Sequence, residues 1–170
     1  MATNIKEGVD SMKDILEILE RDSRTTHEEI AAMTGRNIEE IKAEIKKLED
    51  ENIIAGYTTV INWDKTEKET VNALIEVKVT PTRGLGFDKV ASKIYNFPEV
   101  KALYLMSGSY DFTVLIEGKT LKEVAQFVAE KLAPLDSVMS TATHFVLKRY
   151  KDDGVILYEK QVDDREVITL

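Results

Sequence analysis

Arg24, Thr26, Arg36, Asn37, Lys42, Lys46 and Lys47 are interleaved with an apolar series in the first third of the chain. Within it, Ile38, Ile41, Ile45 and Leu48 recur at offsets of 0, 3, 7 and 10, which sets them on one buried stripe of a helix. The opposite surface then carries Glu39, Glu40, Lys42, Lys46 and Lys47. Lysines in that position neutralise phosphates, and Asn37 and Lys42 can reach base edges in a major groove. Arg36 stands just before the helix, while Arg24 and Thr26 flank the start of the preceding one, where free N–H groups receive phosphate. The chemistry is that of reading double-stranded DNA. The same pattern also suits a three-helix protein-interaction module with a solvated charged face, and periodicity alone leaves both open.

The elements that must hold these residues follow from capping and period. Residues 11–21 read as a helix through Met12, Ile15, Leu16, Ile18 and Leu19. Thr25 with Glu28, or Thr26 with Glu29, can form a capping box for a second helix carrying Ile30, Ala31 and Met33 and ending at Gly35. Asn37 caps the third helix, which fades at Glu51–Asn52, after which Ile53–Ile54 returns to the core. Tyr57 to Trp63 has the composition of a short strand, and the charged run from Asp64 to Thr70 suits a hinge.

Beyond the hinge the period changes. Val71, Ala73, Ile75, Val77 and Val79 alternate with polar residues as in a strand. A turn from Thr80 to Gly86, including Pro81 and Gly84, leads to a helical stripe of Phe87, Val90, Ala91, Ile94 and Tyr95. Strands are expected from Val100 to Met106 and from Asp111 to Glu117, joined by a tight turn at Ser107–Gly108–Ser109. A helix through Leu121, Val124, Ala125, Phe127, Val128 and Leu132 stops at Pro134, and a last strand spans Ser140 to Tyr150. The order β-α-β-β-α-β is the split βαβ, ferredoxin-like plan. Both helices should cover one sheet face, leaving Leu74, Leu103, Leu105, Leu115, Phe145 and Leu147 on the other. So much apolar surface calls for a second copy of the chain. The expected fold class is therefore α+β: a winged helix-turn-helix domain at 1–62, a hinge at 63–70, a ferredoxin-like dimerisation domain at 71–150 and a tail at 151–170, the tail opening on an Asp-Asp-Gly turn before a further strand at Val155 to Tyr158.

Composition narrows the function classes. There are no cysteines and two histidines, so thiolate metal sites are excluded and a histidine-rich zinc site is disfavoured; neither a metal nor a cofactor is expected. No Gly-rich loop is followed by the Lys-Ser/Thr of a phosphate-cradling motif. The lack of a long apolar run or a charged-then-apolar leader predicts a cytoplasmic protein without membrane contact. The net charge is −8. Residues 1–65 hold 9 Lys/Arg against 15 Asp/Glu, a net of −6, leaving −2 for the rest. This counts against a non-specific nucleic-acid coat, and any DNA reader here must work with few phosphate contacts.

The stretch from Arg24 to Ile54 resembles the Lrp/AsnC (feast/famine) regulators through Arg24, Thr26, Glu29–Ile30–Ala31, Gly35, Asn37, Ile41, Leu48–Glu49 and Ile54. The second half is similar to the same family at Gly108-Ser109-Tyr110-Asp111 and at Thr141, Thr143 and Phe145–Val146–Leu147. Three positions depart from the family pattern: Glu44 replaces an arginine on the reading helix, Arg36 a leucine, and Asn52 a glycine. The resemblance implies a homodimer assembling further, often to an octamer, and a small effector, typically an amino acid, bound between dimers. It carries the effector site onto Gly108, Tyr110, Asp111, Thr141, Thr143 and His144, with Asp111 receiving an ammonium group and turn N–H groups a carboxylate. Read locally, Asp111 can instead pin its turn and His144 can be a packing residue. The expected function is a sequence-specific DNA-binding regulator. The alternatives are a small-molecule sensing module that has lost DNA binding, in keeping with the acidic head, and an enzyme of the tetrapyrrole decarboxylase kind, for which only His144 and Arg149 are available.

Overall fold

The computed structural model describes residues 14–80 and 86–158, and these divide into two compact units after Thr59. Ser11 and Met12 of the expected first helix, and Pro81 and Gly84 of the expected turn, lie outside the described residues.

The first unit is a helix trio. Residues 14–21 form α1, His27–Thr34 form α2 and Ile38–Asp50 form α3. Thr25 and Thr26 compete to start α2, and hydrogen bonding decides between them. The Thr25 hydroxyl donates to the Asp22 carbonyl, so Thr26 is left as the cap. Its Oγ1 accepts from the Glu29 N–H at 3.2 Å, and its own N–H donates to the Glu29 carboxylate at 2.8 Å. Gly35 ends α2 at φ +68°, a conformation costly for any residue with a Cβ. Asn37 Oδ1 then accepts from the Glu39 N–H and opens α3. Ile15, Leu19, Ile30, Ile41, Ile45 and Leu48 are the buried set. Met33, expected inside, is 60% exposed, because the short α2 turns only Ile30 fully inward.

After α3, Asn52 adopts φ +55° and the Ile53 and Ile54 N–H groups both donate to the Leu48 carbonyl. Ile54 packs on the helices, whereas Ile53 stays exposed. The strand expected over Tyr57 to Trp63 does not form: residues 57–62 pair with no strand, the Tyr57 hydroxyl donates to Glu49 of α3 at 2.9 Å, and Trp63–Lys65 closes a 3₁₀ turn. A lone extended segment needs a partner for its backbone groups, and none of the described residues supplies one. That turn, within the expected hinge, belongs to the second unit.

The second unit contains β1 (Val71–Val79), α4 (Asp88–Tyr95), β2 (Val100–Leu105), β3 (Phe112–Gly118), α5 (Leu121–Phe127) and β4 (Val138–Phe145). The four strands form an antiparallel sheet in the order β2-β3-β1-β4, the ferredoxin-like arrangement. A π-helical stretch, Val128–Leu132, extends α5. A two-residue hairpin, β5 (Lys151–Asp152) and β6 (Val155–Ile156), turns at Asp153–Gly154. Ala73, Ile75, Val77, Phe112, Val114 and Ile116 pack against Val90 and Ile94 of α4 and Val124 and Phe127 of α5 on one sheet face. Tyr95 and Leu121, expected in those helical stripes, are each 57% exposed; they sit at the last and first residues of their helices, where the stripe runs off the sheet.

The open sheet face differs from expectation. Residues paired across antiparallel strands share a face, and Leu74, Leu115 and His144 are paired in this way. In β2, the pairing shifts by one residue between Val100 and Ala102. This bulge reverses the alternation that follows, so Leu103 and Leu105 join Val114 and Phe112 on the helix side, and Ala102 and Tyr104 take the open face. Phe145 pairs with Ala73 and also lies on the helix side, while Leu147 falls beyond the strand end and is 95% exposed. Of the six apolar residues expected on the open face, Leu74 and Leu115 remain.

Candidate nucleic-acid and ligand sites

The outward surface of α3 is a lattice of exposed ion pairs. Lys42 bonds Glu39 at 2.9 Å, Lys46 bonds Asp50 at 3.0 Å, and Lys47 lies 3.8 Å from Glu51. The Glu39 hydrogen bond holds the Lys42 pKa above its ordinary value. Exposed pairs of this kind contribute about 0–1 kcal/mol each, so a phosphate can replace each carboxylate at little cost. Ala43 and Glu40 are exposed on the same surface, and no partner holds the Glu40 carboxylate among the described residues.

Not all of the sequence-identified residues face outward. Arg24 is exposed near the start of α2. The Thr26 hydroxyl is engaged in the capping box, and the Glu29 pKa is lowered first by the backbone hydrogen bond from Thr26 and then by its hydroxyl. Asn37 keeps its amide nitrogen free while its oxygen caps α3. Arg36 is drawn onto Glu44, with both side chains about one-fifth exposed, and its Nη1 is buried without a hydrogen-bond partner among the described residues. Lys42 and Lys46 also line a groove with Thr25, His27, Glu49 and Tyr57. Desolvation first, and then the bond to Glu49, raise the Tyr57 pKa.

In the second unit, the Met106 N–H donates to the Asp111 carbonyl, so the connection is wider than the expected three-residue turn and includes Tyr110. Asp111 ties this connection to β1: its N–H donates to the Val77 carbonyl at 3.0 Å, and its Oδ2 accepts from the Val79 N–H at 2.8 Å. Thr141 pairs with Val77 from the other side, so Asp111 and Thr141 flank the same end of β1. Gly108 is exposed and Tyr110 half-buried. Thr141 and Thr143 point to the helix side, and His144 to the open face, where its Nε2 lies 3.7 Å from Glu76. The six residues therefore do not converge within one protomer. Arg149 is held by Asp152 at 2.9 Å.

Two features escaped the sequence. Thr113, 7% exposed on the open face, has a hydroxyl without a partner among the described residues. A concavity of about 340 Å³ between α4 and the edge strand β2 is lined by Phe87, Ala91, Leu103 and Phe112 with Asp88 and Lys101. The concavity is not visible before the bulge in β2 is known. No cluster of three or more potential metal-binding side chains exists among the described residues.

A capped helix-turn-helix with an exposed third helix is followed by a ferredoxin-like unit, the plan of a two-domain regulator in which one domain meets DNA. Residues 10–55 match the winged helix-turn-helix DNA-binding model, and residues 72–156 match the Lrp/AsnC ligand binding domain. The chain belongs to the Lrp/AsnC family of transcriptional regulators. It is 51% identical over 156 residues to the HTH-type regulator YugG of Bacillus subtilis, covering 91% of this chain and 93% of that protein. It is 32% identical over 139 residues to the regulator LrpA of Pyrococcus abyssi, covering 82% and 96%. Among solved structures, the leucine response regulatory protein of Mycobacterium tuberculosis superposes with a TM-score of 0.71 at 18% identity, covering 85% of this chain and 95% of that one. A Neisseria meningitidis transcriptional regulator in complex with L-Met gives 0.66 at 21%, covering 84% and 91%.

Proposed function

We propose that the protein regulates transcription by inserting α3 into the major groove of double-stranded DNA as a homodimer, and that a free amino acid modulates its assembly or affinity. The observation that carries the DNA reading is the surface of α3: its apolar stripe is buried, and its lysines are exposed in weak pairs that phosphates can displace. Lys46 and Lys47 make phosphate contacts, with Arg24 near the start of α2, while Asn37 and Lys42 lie toward the bases; Thr26, whose N–H and hydroxyl are both given to Glu29, serves as the cap and not as a phosphate contact. Arg36 acts through Glu44, setting the turn before α3. The net charge of −8 makes electrostatic attraction small, so binding relies on two or more heads acting together. The test is a titration against DNA upstream of the protein's own gene. Lys46→Ala and Lys47→Ala should weaken binding across sequences and flatten its salt dependence; unchanged binding removes α3 from the interface.

The effector reading rests on Asp111 and Thr141 flanking one end of β1 and on the failure of the six candidates to meet in one protomer. A site completed by a second copy satisfies both, with Gly108, Tyr110, Thr143 and His144 contributed from adjoining protomers. The related Neisseria regulator was solved with L-Met, which supports the choice of an amino acid. Native mass measurement across an amino-acid panel tests the dimer, its growth toward an octamer and the effector together. The regulator works in the cytoplasm without catalysis, cofactor or metal. Among the described residues no helix is long and apolar enough to cross a membrane.

A further inference from the structure

Resting on the proposal that α3 reads DNA, we infer that Glu40 and Ala43 determine its sequence preference, and that the preference is for a cytosine next to a thymine. Three observations converge on this pair.

First, one charged group near the start of α3 has no partner to give up before it can meet a base. Glu39 is bonded to Lys42, and Glu44 to Arg36. Asn37 spends its oxygen on the Glu39 N–H. Glu40 is exposed and makes no ion pair among the described residues. A free carboxylate in the N-terminal half of a reading helix repels phosphate, and the base-edge group it can accept from is an exocyclic amine, above all cytosine N4. Second, Ala43 is an exposed apolar side chain three positions further along, hence on the same helix surface as Glu40. A bare methyl offers no hydrogen bond and fits against the thymine C5-methyl. Third, the spacing fits. Three residues of α-helix rise about 4.5 Å, close to the ~3.4 Å step between base pairs along one strand, so the two side chains address neighbouring pairs. Lys47, four residues beyond Ala43, stays on this surface to meet the backbone.

The withdrawal of Arg36 completes the case. An arginine beside the reading helix commonly selects guanine through O6 and N7. Here the guanidinium is tied to Glu44 and one of its nitrogens is buried. Arg36 is thereby withheld from guanine, and Glu40 adds an acceptor to the donors of Asn37 and Lys42.

The test is selection of binding sites from a randomised duplex pool by the full chain, its Glu40→Gln variant and its Ala43→Ser variant, followed by binding titrations on the selected site and on single-base changes. The wild type should enrich a C-T or T-C step in each half-site. Replacing that cytosine should cost the wild type roughly tenfold in affinity, and Glu40→Gln should erase most of this discrimination. Ala43→Ser should lower the preference for thymine over uracil, which lacks the methyl, at the neighbouring position. If Glu40→Gln instead tightens binding equally on all sequences, Glu40 only repels the backbone and the inference is overturned. Unchanged base preferences in both variants overturn it as well, while leaving the DNA-binding reading standing. A wild type that binds no duplex at all defeats both.

Discussion

The helix trio and the sheet unit solve the same problem, burying one face of each element, with different tolerance for error. In the head, each residue's direction follows from its position in a rigid 3.6-residue period, and Ile41, Ile45 and Leu48 are buried as that period requires. In the sheet, direction alternates every residue, so one extra residue reverses everything beyond it. The bulge between Val100 and Ala102 does this in β2. Leu103 moves from the open face to the core side, and Tyr104 moves out. A helix with one misjudged residue loses one contact, whereas a strand with one inserted residue exchanges its faces.

The largest expected effect tests the sheet core. Phe112 is 1% exposed and packs edge-on against Phe87 at 5.8 Å. Phe112→Ala should cost about 3–5 kcal/mol and lower the unfolding transition of the second unit, read by calorimetry. In the head, Ile41 is fully buried in a smaller cluster. Ile41→Ala should cost about 2–5 kcal/mol and abolish DNA binding while the near-ultraviolet signal of the sheet unit persists. Simultaneous loss of both signals would show that the two units fold as one and dissolve the comparison.

Arg36→Ala should cost on the order of 1–2 kcal/mol by leaving Glu44 partly buried and unpaired; Glu44→Gln combined with it should recover part of that in a double-mutant cycle. Thr26→Ala should cost about 1 kcal/mol by removing the α2 cap, read as a shift in the head's melting temperature. The smallest effect is a pH dependence. Glu29 has its folded pKa lowered below 4.5 by the Thr26 N–H and hydroxyl. The stabilisation from that cap is therefore present above pH 4.5 and is lost as the pH falls through the folded value. Thr26→Ala should remove only the hydroxyl's share of this acid-range loss, because the backbone N–H of residue 26 still donates to the carboxylate, whereas Glu29→Gln should remove all of it.

Much of the site was legible because local chemistry specified it. Gly35, Asn37 and the Thr-Glu capping pair announce α2 and α3 whatever surrounds them. The choice between Thr25 and Thr26 was not legible, since it turned on which hydroxyl the Asp22 carbonyl would recruit. Nor was the fate of Arg36, because a charge pattern does not say whether an arginine faces solvent or a glutamate eight residues on. The segment from Tyr57 to Trp63 has strand composition, yet a strand exists only where a partner offers backbone groups, and Tyr57 turned to Glu49 instead.

By itself, the amino-acid order determined the two periods, the caps and stops, and hence the succession of elements from α1 to β4 apart from the segment at Tyr57 to Trp63, since these depend on interactions within a few residues. Tertiary structure alone decided which sheet face each β2 side chain occupies, how α3's charges pair, and that Asp111 spends an oxygen on Val79. These outcomes depend on register and on contacts between residues distant in the chain, where a single inserted residue or one competing partner outweighs any local preference.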